Sequence, residues 1–548
     1  MGKMNLLKKS GITVVLLVLL VSCQKTFETQ DPDVPALRQI RGVWITNIDS
    51  DVMFSRQKTA EAMRYLHERG FNVVFPVVWN DGYTLYPSDV MVSHFGEPYR
   101  IDPAFANPPR DPLQDIIVEA RKYGMEVIPW FEFGFSSSYQ QDGGHILEAK
   151  PHWAARDNSG ALLSKNGFEW MNAFHPEVQE FILALVAEVI KQYDIDGIQG
   201  DDRLPALPSE SGYSDYTRIL YKRTFGEDPP DDPKEERFLH WKADQLSDFG
   251  GRMYRMVKSY DPDLVVSLSP NIHDWAKREY LQDWPEWIRR GQVDLIHPQV
   301  YRYDIDTYLT TLREQQHHFH EALKNRPPDV KSAGPVFHAP GVLIKVGDRY
   351  NGPSYIRRAL AEHEKLGLDG EVYFFYEGLH ENNQNLGDSL YVFGYYKPAQ
   401  VPYRAEKRRY PSHIVTAEEA QDHVLSGTWY LVDVEKAYGG SMLAADPEAD
   451  GLGLVIFPER SGIYDILIHI PYQSTDLQSV RYGISGRNID YSFVFDPSDY
   501  HEYGWILTRQ IPVEEGEELR ITLERKGKNP IWYDAIMLQR NLHHDYYH

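Results

Sequence analysis

Short apolar runs rich in β-branched and aromatic residues recur through the first two thirds of the chain. Each is followed by a segment whose apolar positions fall three and four residues apart. The runs cover residues 41–46, 71–79, 126–134, 196–204, 265–271, 293–301, 332–339 and 371–379. Val73-Val74-Phe75 and Val265-Val266 lack polar alternation, as expected for strands covered on both faces of a parallel sheet. Ala60, Met63, Tyr65 and Leu66 predict a helix over 59–69 that stops at Gly70. Helices over 113–123 and 355–366 are predicted to stop at Gly124 and Gly367, and Gly291 closes the one before the sixth run. A glycine there accepts the left-handed conformation that ends a helix, and the next run begins after a short loop. Residues 177–193 are expected to form the longest helix. Eight such units predict an α/β chain built as a (β/α)8 TIM barrel, working at the C-terminal ends of its strands. A doubly wound open sheet is the alternative, but no glycine-rich phosphate loop follows the first run.

The pattern changes after residue 400. Residues 401–412, with Pro402, Arg404, Lys407, Arg408 and Arg409, read as a linker. Beyond it come short alternating runs at 429–432, 453–457, 464–469, 478–484, 492–495, 505–511, 519–525 and 531–538, separated by turn residues. They predict a smaller all-β sandwich over 413–540. At the other end, Lys3, Lys8 and Lys9 precede an apolar stretch at 11–21, a secretory signal pattern. Cys23, the only cysteine, follows directly, and Leu20-Val21-Ser22-Cys23 resembles a bacterial lipobox. That resemblance implies a lipoprotein signal peptide over 1–22 and lipid acylation of Cys23. It further implies a tether over 23–37 and a barrel over 38–400 held at a membrane, facing periplasm or cell exterior. A plain signal peptide with an incidental cysteine is the alternative.

Charge narrows the partners. The 548 residues carry a formal charge of −23, spread along the chain, which argues against nucleic acid and against an anionic lipid surface. An uncharged or weakly charged substrate fits best. Aromatic residues make up 13%, with 36 Tyr and 12 Trp. Such a surplus serves a sugar-binding surface and a large core equally well.

The candidate chemistry lies where the runs end. The fourth closes on Gly200-Asp201-Asp202-Arg203, two adjacent carboxylates whose repulsion should raise one pKa. Strand alternation sends one of them, Asp201, toward the barrel axis and Asp202 aside. Metal ligation, a salt bridge to Arg203 or helix capping would explain the doublet equally. The third run places Glu132 among Trp130, Phe131 and Phe133, an apolar setting suited to a general acid. The eighth offers Glu377. Trp44, Trp79, Asn80, Trp130, Arg203, Asn271, Gln299, Tyr301 and Arg302 complete a candidate substrate-binding rim. Aromatic platforms, amides and two or more carboxylates are what a glycosidase cleft needs.

The stretches Arg41-Gly42-Val43-Trp44, VIPWFEFGF at 127–135, WMNAFHPEVQEFI at 170–182, DGIQGDD at 196–202 and PQVYRY at 298–303 resemble glycosyl-hydrolase-like family 10. The resemblance spans residues 38–395. It implies a bacterial hydrolase of O-glycosyl bonds, with some members acting on peptidoglycan glycan strands stripped of peptide. Carried over, its functional positions are Asp201 and Asp202, with Glu132 and Glu377 behind them. Gly200 stands where the family has a bulky residue, which puts the floor of the cleft in question. The C-terminal segment is similar to golvesin-like or carbohydrate-binding sandwiches through Ser461-Gly462-Ile463-Tyr464-Asp465, Trp505 and Trp532-Tyr533-Asp534. Glycan binding and plain packing on the barrel are both open for it.

No cofactor is implied. His317, His318 and His320 read as a solvated helix face and His543, His544 and His548 as a tail, so no metal site is expected. The oligomeric state is left unspecified. Two rivals to a glycoside hydrolase stay open: a non-catalytic glycan-binding lipoprotein, and a hydrolase of another bond such as a sugar ester.

Overall fold

The computed structural model describes residues 36–548, apart from 333, 381–384, 422–423, 435, 447–448, 450, 472–476, 501–503, 526–530 and 544–548. The signal-peptide and Cys23 expectations therefore lie outside the described residues. Among the described residues no helix is long and apolar enough to cross a membrane.

A mixed helix and strand segment comes first. Its parallel strands are β1 (Ile40–Ile45), β2 (Val73–Pro76), β3 (Glu126–Val127), β4 (Gly197–Gly200), β5 (Val265–Leu268), β6 (Leu295–Ile296), β7 (Phe337–His338, resumed at Gly341–Leu343) and β8 (Gly370–Phe374). They form two parallel sheets, one ordered β7-β8-β1-β2-β3 and the other β4-β5-β6-β7. Past the end of β3, Trp130 bridges Gln199 of β4, and Gln299 beyond β6 bridges Gly341 of β7. Backbone bonds reinforce both junctions, from Gln199 N–H to Pro129 O at 2.8 Å and from Gly341 N–H to Pro298 O at 3.0 Å. Every residue of β1, β2, β4 and β5 is buried, the reason these runs carry no polar alternation.

Helices between them include α1 (Arg56–Glu68), α2 (Pro112–Arg121), α3 (Pro176–Gln192), α4 (Glu236–Tyr260), α5 (His273–Tyr280), α6 (Ile305–Lys324) and α7 (Pro353–Leu366). Gly70, Gly124, Gly291 and Gly367 all have positive φ, as their places after helix ends require. The longest helix among the described residues is α4, with 25 residues, not α3 with 17. Its polar exposed face and glycine pair (Gly250, Gly251) hid its periodicity, whereas α3 is apolar nearly all round. One large core runs through the strands and the inner faces of these helices.

The remaining residues are rich in strands. Ile536–Asn541, Gly462–Ile470 and Gly504–Val513 form an antiparallel sheet with His413–Val415 at its edge. Gly451–Ile456, Leu519–Arg525, Val480–Ser485 and Asp490–Phe495 form the body of a second. Ile466, Ile468 and Ile506 of the first share a core with Leu454, Tyr482 and Ile521 of the second. The short strands His413–Val415, Val424–Ser426 and Ser441–Ala445 were not foreseen, because each is a brief edge or mixed run without clean alternation.

The basic stretch after residue 400 is an ion-paired strap rather than a free linker. Arg404 donates to Glu126 at the start of β3, Nε to Oε1 at 3.0 Å and Nη2 to Oε2 at 3.1 Å. Arg409 donates to both oxygens of Asp194 and to Asp196 Oδ1, just before β4. Behind them, Val118 of α2 packs with Leu467, Trp505 and Met537 of the strand-rich segment. Trp505, Trp532 and Tyr533, three aromatics that carry the likeness to sugar-binding sandwiches, are all buried.

Candidate active site

The strand end of β4 is shaped by a turn. The chain leaves the sheet at Gly200, and Asp201 Oδ1 accepts the Arg203 N–H at 2.9 Å, an Asx-type turn that brings the backbone back on itself. Two glycines make room for it. A Cβ at Gly200 would stand 2.2 Å from Leu204 O, and one at Gly134 would stand 2.0 Å from Arg203 O. Gly200 therefore admits the returning turn, which answers the question its identity posed for the cleft floor. Gln282, fully buried, donates to Asp201 O at 2.8 Å and accepts the Asn271 N–H at 3.3 Å. Both aspartates lie past the strand, so the turn rather than strand alternation sets their directions.

Arg203 gathers the carboxylates. Its Nη2 lies 3.2 Å from Glu132 Oε1 and 3.6 Å from Asp201 Oδ2, while Nη1 lies 3.3 Å from Asp202 Oδ1. Sharing one nitrogen keeps the first two oxygens less than about 7 Å apart. Arg203 Nε also donates to Glu132 O at 2.8 Å, and its guanidinium covers the Phe168 ring at 4.6 Å. Three acids thus face one cation. Burial, and then the Asp202 charge, push the Asp201 carboxyl well above the usual carboxylate range, against the pull of Arg203. Burial likewise raises Glu132, against Arg203 and the Asn80 amide. Burial opposes the Arg203 charge, but Asp202, Asp201 and Glu132 outweigh it and keep the guanidinium protonated.

Exposure separates the three acids. The Asp201 side chain is 1% exposed, Glu132 16% and Asp202 25%. Asp201 Oδ2 accepts the Trp130 indole N–H at 2.9 Å, so both of its oxygens are engaged. The Asp202 charge is also the largest ionic influence on Tyr301, whose phenol is raised first by burial. Burial, then Asp202, carries the Tyr280 phenol up to about 12. Asp202 therefore lies toward two tyrosines and solvent, while Asp201 is held beneath Trp130.

Most of the expected rim assembles round this cluster. The Asn80 amide donates to Glu132 Oε2 at 2.5 Å. Trp44 packs against Trp130 and Phe374, and its indole N–H donates to Gln199 Oε1 at 2.6 Å. Tyr301 stacks on Phe374 at 5.2 Å. Gln299 and Asn271 are half-buried, with the Gln299 amide on Ser269 O at 3.0 Å. Three other expected residues are engaged elsewhere. Trp79 is fully buried, bonded to Gly134 O and set against Phe181 of α3, so it packs outward. Glu377 sits in a turn after β8, accepting from Ser50 Oγ at 2.8 Å, with Asp51 and Lys345 as its charged neighbours. The Arg302 guanidinium folds back onto Tyr301 O at 2.8 Å.

Residues 39–334 match the family glycosyl hydrolase-like 10. The chain belongs to this family. Among curated relatives, it is 26% identical over 365 residues to glycosyl hydrolase DigH of Escherichia coli K12, covering 55% of this chain and 78% of the relative. It is 23% identical over 402 residues to glycosyl hydrolase YngK of Bacillus subtilis, covering 67% of this chain and 73% of that one. Among solved structures, the PgaB (BpsB) glycoside hydrolase domain from Bordetella bronchiseptica aligns at a TM-score of 0.45 and 14% identity. That alignment covers 65% of this chain and 99% of that one. Membership of a glycosyl hydrolase-like family supports a glycoside hydrolase type of function and a carbohydrate substrate.

For such a family the cluster has the parts for acid–base work on a glycosidic bond. It holds buried carboxyls pushed above the usual range, a more open one, and aromatic rings beside them. Sequence reasoning missed Gln199, Tyr280, Gln282 and Phe374. Gln199 had a signal, being the one amide inside an apolar strand. Gln282 had none, because its partner Asp201 is 81 residues away.

Proposed function

We propose that this chain hydrolyses O-glycosidic bonds of a poly- or oligosaccharide, with peptidoglycan glycan strands stripped of peptide as one candidate substrate. The observation that carries this reading is the Glu132–Arg203–Asp202 arrangement over a buried Asp201. Glu132, raised by burial and tethered by Asn80, donates the proton to the glycosidic oxygen. Asp202, the most open of the three, acts from the other side as nucleophile or base. Asp201 holds Trp130 and the turn in place.

The fold that serves this chemistry is a (β/α)8 barrel, a reading supported by the bridges Trp130–Gln199 and Gln299–Gly341 between the two parallel sheets. The strand-rich segment acts as a packing partner of the barrel, a role supported by the packing of Leu467, Trp505 and Met537 on Val118 of α2. Cys23 carries a lipid that holds the enzyme in the cell envelope. Labelled fatty acid incorporated by the full chain but not by a Cys23→Ser variant tests this point.

Activity is tested by incubating the purified protein with stripped peptidoglycan glycans and with neutral polysaccharides, counting reducing ends. Release from at least one is expected. Binding with no reducing ends released from mildly acidic to mildly basic pH would leave the glycan-binding lipoprotein in its place.

A further inference from the structure

We propose that His273, Asp274 and His318 form a binding site for one divalent transition-metal ion, zinc by preference, where the start of α5 meets α6. His273 and Asp274 open α5, and His318 comes from α6. One ligand atom from each lies within 4.8 Å of the others. His273 Nδ1 is 3.2 Å from Asp274 Oδ1, and His318 Nε2 is 3.8 Å from Asp274 Oδ2. Ligands about 2.0–2.2 Å from a tetrahedral ion stand about 3.3–3.5 Å from one another, so small side-chain rotations close this set.

A second observation points the same way. His273 Nδ1 is buried and makes no hydrogen bond, although Asp274 is near, so an orphaned nitrogen faces the space between the three residues. Its other ring nitrogen, Nε2, is engaged by Asp283 Oδ1 at 3.1 Å, and Lys277 in turn pairs with Asp283 Oδ2 at 2.6 Å. A carboxylate on the far nitrogen is how proteins turn a histidine lone pair toward a metal. The Gln315 side chain accepts the His273 N–H at 2.8 Å and pins the start of α5 to α6. Two imidazoles and one carboxylate select zinc, cobalt, nickel or copper over magnesium or calcium, and leave a coordination position for water.

The site adjoins Gln282, which holds the Asp201 carbonyl, because Asp283 follows it in the chain. A bound ion therefore braces the segment from Asn271 to Asp283 that backs the β4 turn. This role is structural and holds whether or not the carboxylate cluster cleaves glycans.

The test titrates the chelator-treated full chain with Co2+ and Zn2+, following cobalt absorption and binding heat. One equivalent is expected, with a rise in Tm. His318→Ala and Asp274→Asn, changes at partly and largely exposed side chains, are expected to weaken binding about 100-fold or more. Asp283→Asn, which only releases His273, is expected to weaken it about 10–100-fold. On the unaltered chain, zinc should protect His318 from diethyl pyrocarbonate, as mapped by peptide mass. Unchanged affinity in His318→Ala, or no protection at saturating zinc, overturns the proposal, as does absence of binding at micromolar metal.

Discussion

Arg203 decides how the acids at the end of β4 share their charge. Its two terminal nitrogens reach Glu132, Asp201 and Asp202, so removing any one acid leaves the others better compensated. The roles assigned above separate under substitution. Glu132→Gln is expected to lower kcat on a natural oligosaccharide by about 10²–10⁴. It should spare aryl glycosides whose leaving group departs unprotonated, whereas Asp202→Asn should disable both. Equal losses on the two substrates would assign the proton elsewhere. The pH sign follows from Asn80, whose amide favours the Glu132 carboxylate. An Asn80→Ala variant loses that bond, so the Glu132 pKa rises further and the alkaline limb of kcat moves to higher pH. A limb that stays or moves down in a pH–rate profile contradicts the assignment.

The turn after β4 is an element built on close backbone approach. Leu204 O occupies the space where a side chain at 200 would begin, and Arg203 O does the same at Gly134. Gly200→Ala is therefore expected to push the turn outward, costing about 1–3 kcal/mol by urea unfolding. It should also lower kcat more than KM rises, because Asp202 and Arg203 move while the aromatic rings round the cluster stay. An unchanged kcat would mean that the turn does not set the geometry of the acids.

For the whole molecule, the strap from Arg404 to Arg409 ties the strand-rich segment to the starts of β3 and β4. Burial alone would raise Asp194, but Arg121 and Arg409 hold it well below the usual carboxylate range. Arg409→Ala leaves Asp194 to Arg121 alone and takes the nearest cation from buried Asp196, at an expected cost of about 3–5 kcal/mol. Calorimetry should record a lower Tm with both segments still melting together. Acid should act through buried histidines. Burial lowers His297 to about 4 and, with His297, His363 and His320 adding to it, His338 to about 3, against an ordinary 6.5. The native state then binds fewer protons than the unfolded chain. Their contribution to stability is full above pH 6.5 and is lost as pH falls toward 4 and then 3. His297→Gln should flatten the fall in urea stability across that window, and an unchanged slope would remove His297 from the account.

Local rules reach only part of this. The order of strands and helices, the helix stops at Gly70, Gly124, Gly291 and Gly367, and the acids at the β4 end were legible in the sequence. Each depends on neighbours a few residues away: apolar periodicity, a left-handed glycine, the residue types closing a run. What the tertiary structure alone decided depends on separation along the chain. Glu132 meets Arg203 across 71 residues, while Glu377, with the same residue type at a similar run end, turns away to Ser50. Trp79 and Trp130 both looked like platforms, yet one packs outward on α3 and the other bonds Asp201. Arg404 and Arg409 had the composition of a loose linker until Glu126, Asp194 and Asp196 were placed beside them. Which distant side chains meet is set by sheet register and the path of the loops, and neither leaves a mark on the local pattern of residues.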